Sequence, residues 1–184
     1  MLELNFNPFP VLTTERMILR QKTHADVNEI FFLRSDESVM KYIDRPRAKT
    51  LQDATAFIDM ITEGINNSET ITWAITLKDN PVLIGSIGIW QIQKENYRGE
   101  LGYVLHPDYQ GKGIMSEAVK AVTDFAFNAM NLHSIEANIN PENKASAKVL
   151  ERAGFVQEAY FRENYYYDGR FLDSAIYSLV KPKM

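Results

Sequence analysis

The sequence predicts a mixed α+β layer fold, and three stretches carry that prediction. Residues 100–127 read as a strand, a glycine turn and a long helix in direct succession. Ile71, Trp73, Ile75 and Leu77 alternate with Thr70, Thr72, Ala74 and Thr76, the period of a strand. Near the C-terminus, Asp168-Gly169 joins two strand-like runs, the strongest short hairpin signal in the chain.

Taken in order, residues 1–10 read as a loosely held arm. Residues 13–20, with Met17, Ile18 and Leu19, read as a first strand. Asp26 can cap or open a helix whose inner face is Val27, Ile30 and Phe31. After a break at Asp44, Arg45 and Pro46, Thr50 caps a second helix, with Asp53 three residues on and Ala54, Phe57, Ile58, Ile61 and Ile65 along one face. These two helices would form one wall of a cleft. The strand at 71–77 turns at Asp79-Asn80-Pro81 into a strand over 82–91, interrupted by Gly85 and Gly88. In the next strand, Leu101, Tyr103 and Leu105 alternate with Gly102 and Val104. Pro107 and Asp108 end it, and from Ile114 the apolar positions take helical spacing. Residues 133–139 form another strand, Asn143 caps a short helix stopped by Gly154, and the hairpin strands run over 155–167 and 171–180. No repeat, linker or low-complexity segment divides residues 1–184, which predicts a single domain.

Composition narrows the function. A net charge of -4 and a pI near 5.4 argue against general nucleic-acid or anionic-membrane binding. With no cysteine, disulfides, thiol nucleophiles and thiolate metal sites are excluded. His24, His106 and His133 are scattered without ligand spacing, so no metal site is expected. No apolar run approaches membrane-spanning length, and the first ten residues lack a secretion-signal pattern, so a cytoplasmic location is the default.

The stretch Gln110-Gly111-Lys112-Gly113-Ile114-Met115-Ser116 has the chemistry of an anion cradle. Its glycines permit a sharp turn, and the first amides of the following helix have no intrahelical partner at the positive end of the dipole. A Walker loop requires Ser or Thr directly after Gly-Lys, where Gly113 stands. The dinucleotide fingerprint requires a third glycine where Ser116 stands, and a strand that opens the fold. The pattern Gln/Arg-x-x-Gly-x-Gly/Ala fits except at its last position, Met115. The bland alternative for the loop on its own is a glycine turn into a core helix.

That loop resembles the pyrophosphate loop of the GNAT acetyltransferases, which bind acetyl coenzyme A. The likeness extends over nearly the whole chain. It rests on residues 100–118, on residues 140–155 from Asn140-Pro-Glu-Asn143 to Gly154-Phe155, and on the opening Leu12-Thr-Thr-Glu-Arg-Met-Ile-Leu-Arg20. Together these resemble the RimJ/RimL branch, whose named members acetylate the N-terminal amine of ribosomal proteins; Met115 and Ser116 are acceptable within it. The resemblance implies an α+β fold with a mixed, mostly antiparallel central sheet flanked by helices on both faces. It implies direct transfer of acetyl from acetyl-CoA to a primary amine, either a protein N-terminus or a small amine such as an amino acid, polyamine or antibiotic. It also suggests a homodimer. A GNAT-shaped module that holds coenzyme A without turnover is the alternative of another class.

Residue roles follow from that chemistry. A carboxylate near the amine can take its proton, and relatives place a base where Glu100 stands; the bland reading of Glu100 is an exposed strand-edge carboxylate. The resemblance implies that the central strand splays from its neighbour after Ile135, that the backbone of Val104 and Leu105 lines the pantetheine arm, and that one amide there polarises the thioester. It assigns Gln110, Gly111, Lys112, Gly113, Ile114, Met115, Ser116 and Asn143 to the cofactor. The usual tyrosine acid is replaced by Leu150, and the RimJ/RimL likeness points to Ser146 instead, whose hydroxyl suits a hydrogen bond to sulfur better than proton transfer. Trp73 and Trp90 are expected in the core and His106 as a spacer beside the cofactor loop. One of Tyr165, Tyr166 and Tyr167 could line the acceptor cleft or a dimer contact.

Overall fold

The computed structural model describes residues 1–183; Met184, the last residue of the expected domain, lies outside them. Eight strands form one sheet: β1 (Leu12–Thr13), β2 (Met17–Arg20), β3 (Ile71–Leu77), β4 (Asn80–Gln93), β5 (Arg98–Leu105), β6 (Ser134–Ile139), β7 (Val156–Tyr167) and β8 (Arg170–Val180). Their order is β1-β2-β3-β4-β5-β6-β8-β7, and only β5 and β6 run parallel. The helices are α1 (Val27–Ser35), α2 (Glu37–Met40), α3 (Leu51–Asn66), α4 (Ile114–Asn128) and α5 (Lys144–Arg152). The expected α+β architecture with a mostly antiparallel sheet is present.

Helices cover both faces, as the alternation of side chains along β5 requires. Val104 packs with Ile30 and Leu33 of α1, Ala54 and Ile58 of α3, and Ala74 of β3. Leu101 and Leu105 point the other way, into a cluster with Ala118, Val119 and Val122 of α4 and Leu150 of α5. Those three α4 residues are wholly buried, so the helix that begins at the glycine turn is anchored along its length.

Several local expectations change. The first ten residues are not a loose arm: Leu2 and Phe6 are buried, the Leu2 amide donates to the Lys94 carbonyl, and the Trp73 indole donates to the Pro10 carbonyl. The expected first strand is two short strands separated by residues 14–16. α1 buries Ile30 as expected and adds Leu33, while Val27 and Phe31 pack against the same cluster only partly buried. Asp26 stands at the N-cap of α1 as expected, but its side chain closes a capping box with Thr23 in the turn before and pairs with Arg20 at 2.7 Å. The box predicted at Thr50 and Asp53 opens α3.

Candidate active site

A cleft of about 400 Å³ lies between β5 and α5 and opens onto the start of α4. Gly113 is the N-cap of α4 with φ 75°, and Gly111 has φ 72°. Both need left-handed backbone, which only glycine adopts without strain. Among the described residues, the amides of residues 111–116 donate to no protein acceptor. A row of free amides at a helix N-terminus forms an anion cradle. The Gln110 side chain donates to the Leu105 carbonyl at 3.2 Å and ties the loop to the strand that precedes it. Leu105, Gly111, Ile114, Met115 and Ser116 line the cleft with it. Lys112 does not; its ammonium sits 5.6 Å from the centre of the Tyr109 ring. His106 accepts from the Asp108 amide and stacks on Phe32 at 4.6 Å, a spacer beside the loop as expected.

β5 and β6 pair through Glu100 and Glu136 and then part, one register step beyond the expected Ile135. The ladder fixes which β5 amides face the gap. The His106 amide donates to the Ile84 carbonyl at 2.8 Å, so alternation turns the Val104 amide toward β4 and the Tyr103 and Leu105 amides toward the open side. Of the two expected positions, Leu105 therefore presents the free amide.

Asn143 caps α5 by accepting the Ser146 amide, and both residues line the cleft. Ser146 is buried, and its hydroxyl shares a 2.7 Å hydrogen bond with the Tyr103 phenol. Burial pushes that phenol up to about 12, against a smaller downward pull from Ser146. Sequence reasoning passed over Tyr103, treating it as one residue of an alternating strand. The available signal was an aromatic hydroxyl on a half-buried position, which needs a partner when it is covered.

A second cavity, about 480 Å³, adjoins the first and shares Tyr42, Ile43, Tyr103, Val104, Asn143 and Ser146 with it. Glu100 opens into this cavity, not into the cofactor-side cleft. Burial first, and then the neighbouring Glu136 carboxylate, hold Glu100 above the usual carboxylate range, with Arg45 partly offsetting them. Glu136 is itself paired with Arg98. Trp73 is fully buried as expected, and Trp90 is partly buried against the same core while also lining this cavity. Of the tyrosine triplet, Tyr165 reaches the cavity and donates to the Asp44 carboxylate; burial and that carboxylate keep its phenol well above the ordinary value.

Arg34 and Arg45 also line the second cavity, and neither was anticipated. The Arg34 guanidinium lies 3.8 Å over the Phe57 ring, with a buried Nε that meets no hydrogen-bond partner. Such an orphan costs about 1–3 kcal/mol, so its retention asks for a reason. Arg16 is the remaining omission. It pairs with Glu117 at 2.7 Å and donates to the Lys112 carbonyl at 2.8 Å, clamping the glycine loop to the start of β2. Arg16 lies within the Thr-Thr-Glu-Arg opening, a stretch that carries no periodic signal of its own. Among the described residues no group of three or more metal-ligating side chains converges, and no helix is long and apolar enough to cross a membrane.

The acetyltransferase (GNAT) domain profile matches residues 16–156. An uncharacterized N-acetyltransferase of Bacillus subtilis is 33% identical over 175 residues, covering 95% of this chain and 99% of its own. The uS5-specific ribosomal-protein alanine N-acetyltransferase of Escherichia coli is 29% identical, covering 69% of this chain and 66% of its own. Among solved structures, a GNAT-family acetyltransferase from Bacillus anthracis superposes with a TM-score of 0.82 at 28% identity, over 93% of this chain and 98% of its own. The chain belongs to the GNAT acetyltransferase family.

Proposed function

We propose that residues 1–184 form one acetyltransferase domain that moves the acetyl group of acetyl-CoA directly to a primary amine, the N-terminal amine of a protein. The observation that carries this reading is the junction of two clefts at Tyr103, Val104, Asn143 and Ser146, with Glu100 on one side and the glycine loop on the other. Coenzyme A fits the cofactor-side cleft: the partnerless amides of residues 111–116 match a pyrophosphate, and the gap after Glu100 and Glu136 leaves strand-edge backbone for an amide-bearing arm. Support for an N-terminal acceptor comes from the likeness to the Escherichia coli ribosomal-protein alanine acetyltransferase and to the RimJ/RimL branch.

In this reading Glu100 takes the proton that the amine loses as its nitrogen bonds to the acetyl carbon. The raised affinity of Glu100 for protons suits that task. The Leu105 amide, with no strand partner on its side, holds the carbonyl oxygen as negative charge develops there. As the carbon–sulfur bond breaks, the electron pair stays on sulfur, and Ser146, backed by Tyr103, donates a hydrogen bond to it. A phenol near 12 is a much weaker acid than an alkyl thiol near 8.5, so the pair stabilises the thiolate more readily than it protonates it. Asn143 sets the start of α5 and so the position of Ser146.

The test is thiol release from acetyl-CoA with peptides of varied N-termini and with small amines. Release with a free N-terminal peptide, absent when that amine is blocked, is the expected result. Release only with small amines would move the acceptor class. Calorimetric cofactor binding without release on any acceptor would support the non-catalytic module.

A further inference from the structure

The acceptor cavity contains two guanidinium groups with no carboxylate against either. Arg34 and Arg45 both line it, and among the described residues neither has an acidic oxygen within 4.0 Å. Arg16, Arg20 and Arg98, by contrast, each hold a carboxylate at bonding distance. Burial first, and then Arg45, disfavour the charge on Arg34, with the Asp53 carboxylate partly offsetting them. The cavity's own carboxylates have other work: Asp44 accepts the Tyr165 hydroxyl, and Glu100 faces the reacting amine in the reading above.

Arg34 is packed against an aromatic ring: its guanidinium carbon sits 3.8 Å from the centre of the Phe57 ring, and its buried Nε meets no hydrogen-bond partner. A cation in the last turn of α1 suits the helix dipole, but that role needs neither a buried Nε nor a cavity-lining position. A guanidinium that lines a cavity without a carboxylate against it can grip a ligand carboxylate or phosphate through paired hydrogen bonds.

We propose that the acceptor carries an anionic group, a carboxylate or a phosphate, a few bonds from its reactive amine, and that Arg34 with Arg45 binds it in the cavity where Glu100 meets the amine. This rests on the acetyltransferase reading and names its acceptor class. Polycationic amines are poor acceptors on this account, because a second ammonium would meet Arg34 and Arg45 where the anionic group is expected.

The experiment measures kcat/KM for thiol release at saturating acetyl-CoA with matched acceptor pairs. These are an amino acid and its amide, an aminoalkyl phosphate and an aliphatic diamine, and tripeptides with Asp or Asn in second place. The anionic member should exceed its partner by about ten- to a hundredfold, the value of a charge-assisted hydrogen bond. The pair with the widest gap identifies the source of the anion. R34Q should collapse that ratio and R34K should keep part of it. Equal rates within every pair, or an R34Q loss that is the same for charged and neutral acceptors, overturns the proposal. If no amine at all is acetylated, the acetyltransferase reading fails first. Calorimetric binding of N-acetylated acid and amide pairs to the coenzyme A-loaded protein then decides the subsite. Tighter binding of the acid, lost in R34Q, upholds it, and equal binding refutes it.

Discussion

The cofactor-side cleft and the acceptor cavity share β5 but are made of different materials. The first is mostly backbone: amides 111–116, the open edge of β5 after Glu100, and two glycines whose positive φ values would strain a side chain. The second is side chains brought from distant parts of the chain, Arg34 from α1, Arg45 from the segment before α3, Trp90 from β4 and Tyr165 from β7. A backbone site is fixed by local handedness and a helix terminus, so it tolerates little change at a few positions. A side-chain site can be rebuilt residue by residue around an unchanged strand. One half of the molecule is therefore suited to a constant ligand and the other to a variable one.

If that division is right, substitutions should separate along it. The largest expected effect is on turnover: Glu100→Gln should lower kcat by about 10²–10⁴-fold, the usual worth of a positioned base. The same variant carries a stability signature. A carboxyl whose folded proton affinity is raised costs stability once pH passes its unfolded value and climbs through the folded one. Removing the charge should therefore raise Tm at neutral pH and leave it little changed in acid, as a pH series of melting curves would show.

Next in size, Gly113→Val forces a β-branched residue to φ 75° beside the Arg16 guanidinium, 3.4 Å from the new Cβ. Left-handed strain of about 1–2 kcal/mol, with a displaced amide row, predicts acetyl-CoA binding weaker by about ten- to thirtyfold in calorimetry. Tyr103→Phe and Ser146→Ala share one hydrogen bond. Each should lower kcat by about tenfold, and the double variant should lose little more than the worse single one, since they act as a unit. The smallest effect belongs to Arg16→Gln. Its ion pair with Glu117 is partly exposed, so cofactor affinity should fall by only about two- to fivefold, and less at high salt.

The same division decides what the sequence made legible. The glycine loop, the Thr50 cap, the Asn143 cap and the Asp168-Gly169 hairpin are local devices, and each could be read because its chemistry lies within a few residues. Glu100 and Ser146 were found as positions in a resemblance, and the structure places them in adjoining cavities. Tyr103 escaped because its partner Ser146 lies 43 residues away. Trp90 packs against the core as expected, but its second role at the cavity is not legible, because alternation along a strand cannot distinguish a packed neighbour from a cavity. Arg34 and Arg45 carried no signal at all, since an unpaired guanidinium is recognised only once its surroundings are known. The first ten residues misled for the same reason: their burial depends on β3 and on Lys94, which no local pattern announces.

The most direct test is a calorimetric titration of acetyl-CoA into Glu100→Gln and Gly113→Val alongside the unaltered protein. Separate construction of the two halves predicts an affinity in Glu100→Gln within about twofold of the unaltered protein and a loss of about tenfold or more in Gly113→Val. Comparable weakening in both variants, or full affinity in Gly113→Val, would contradict it.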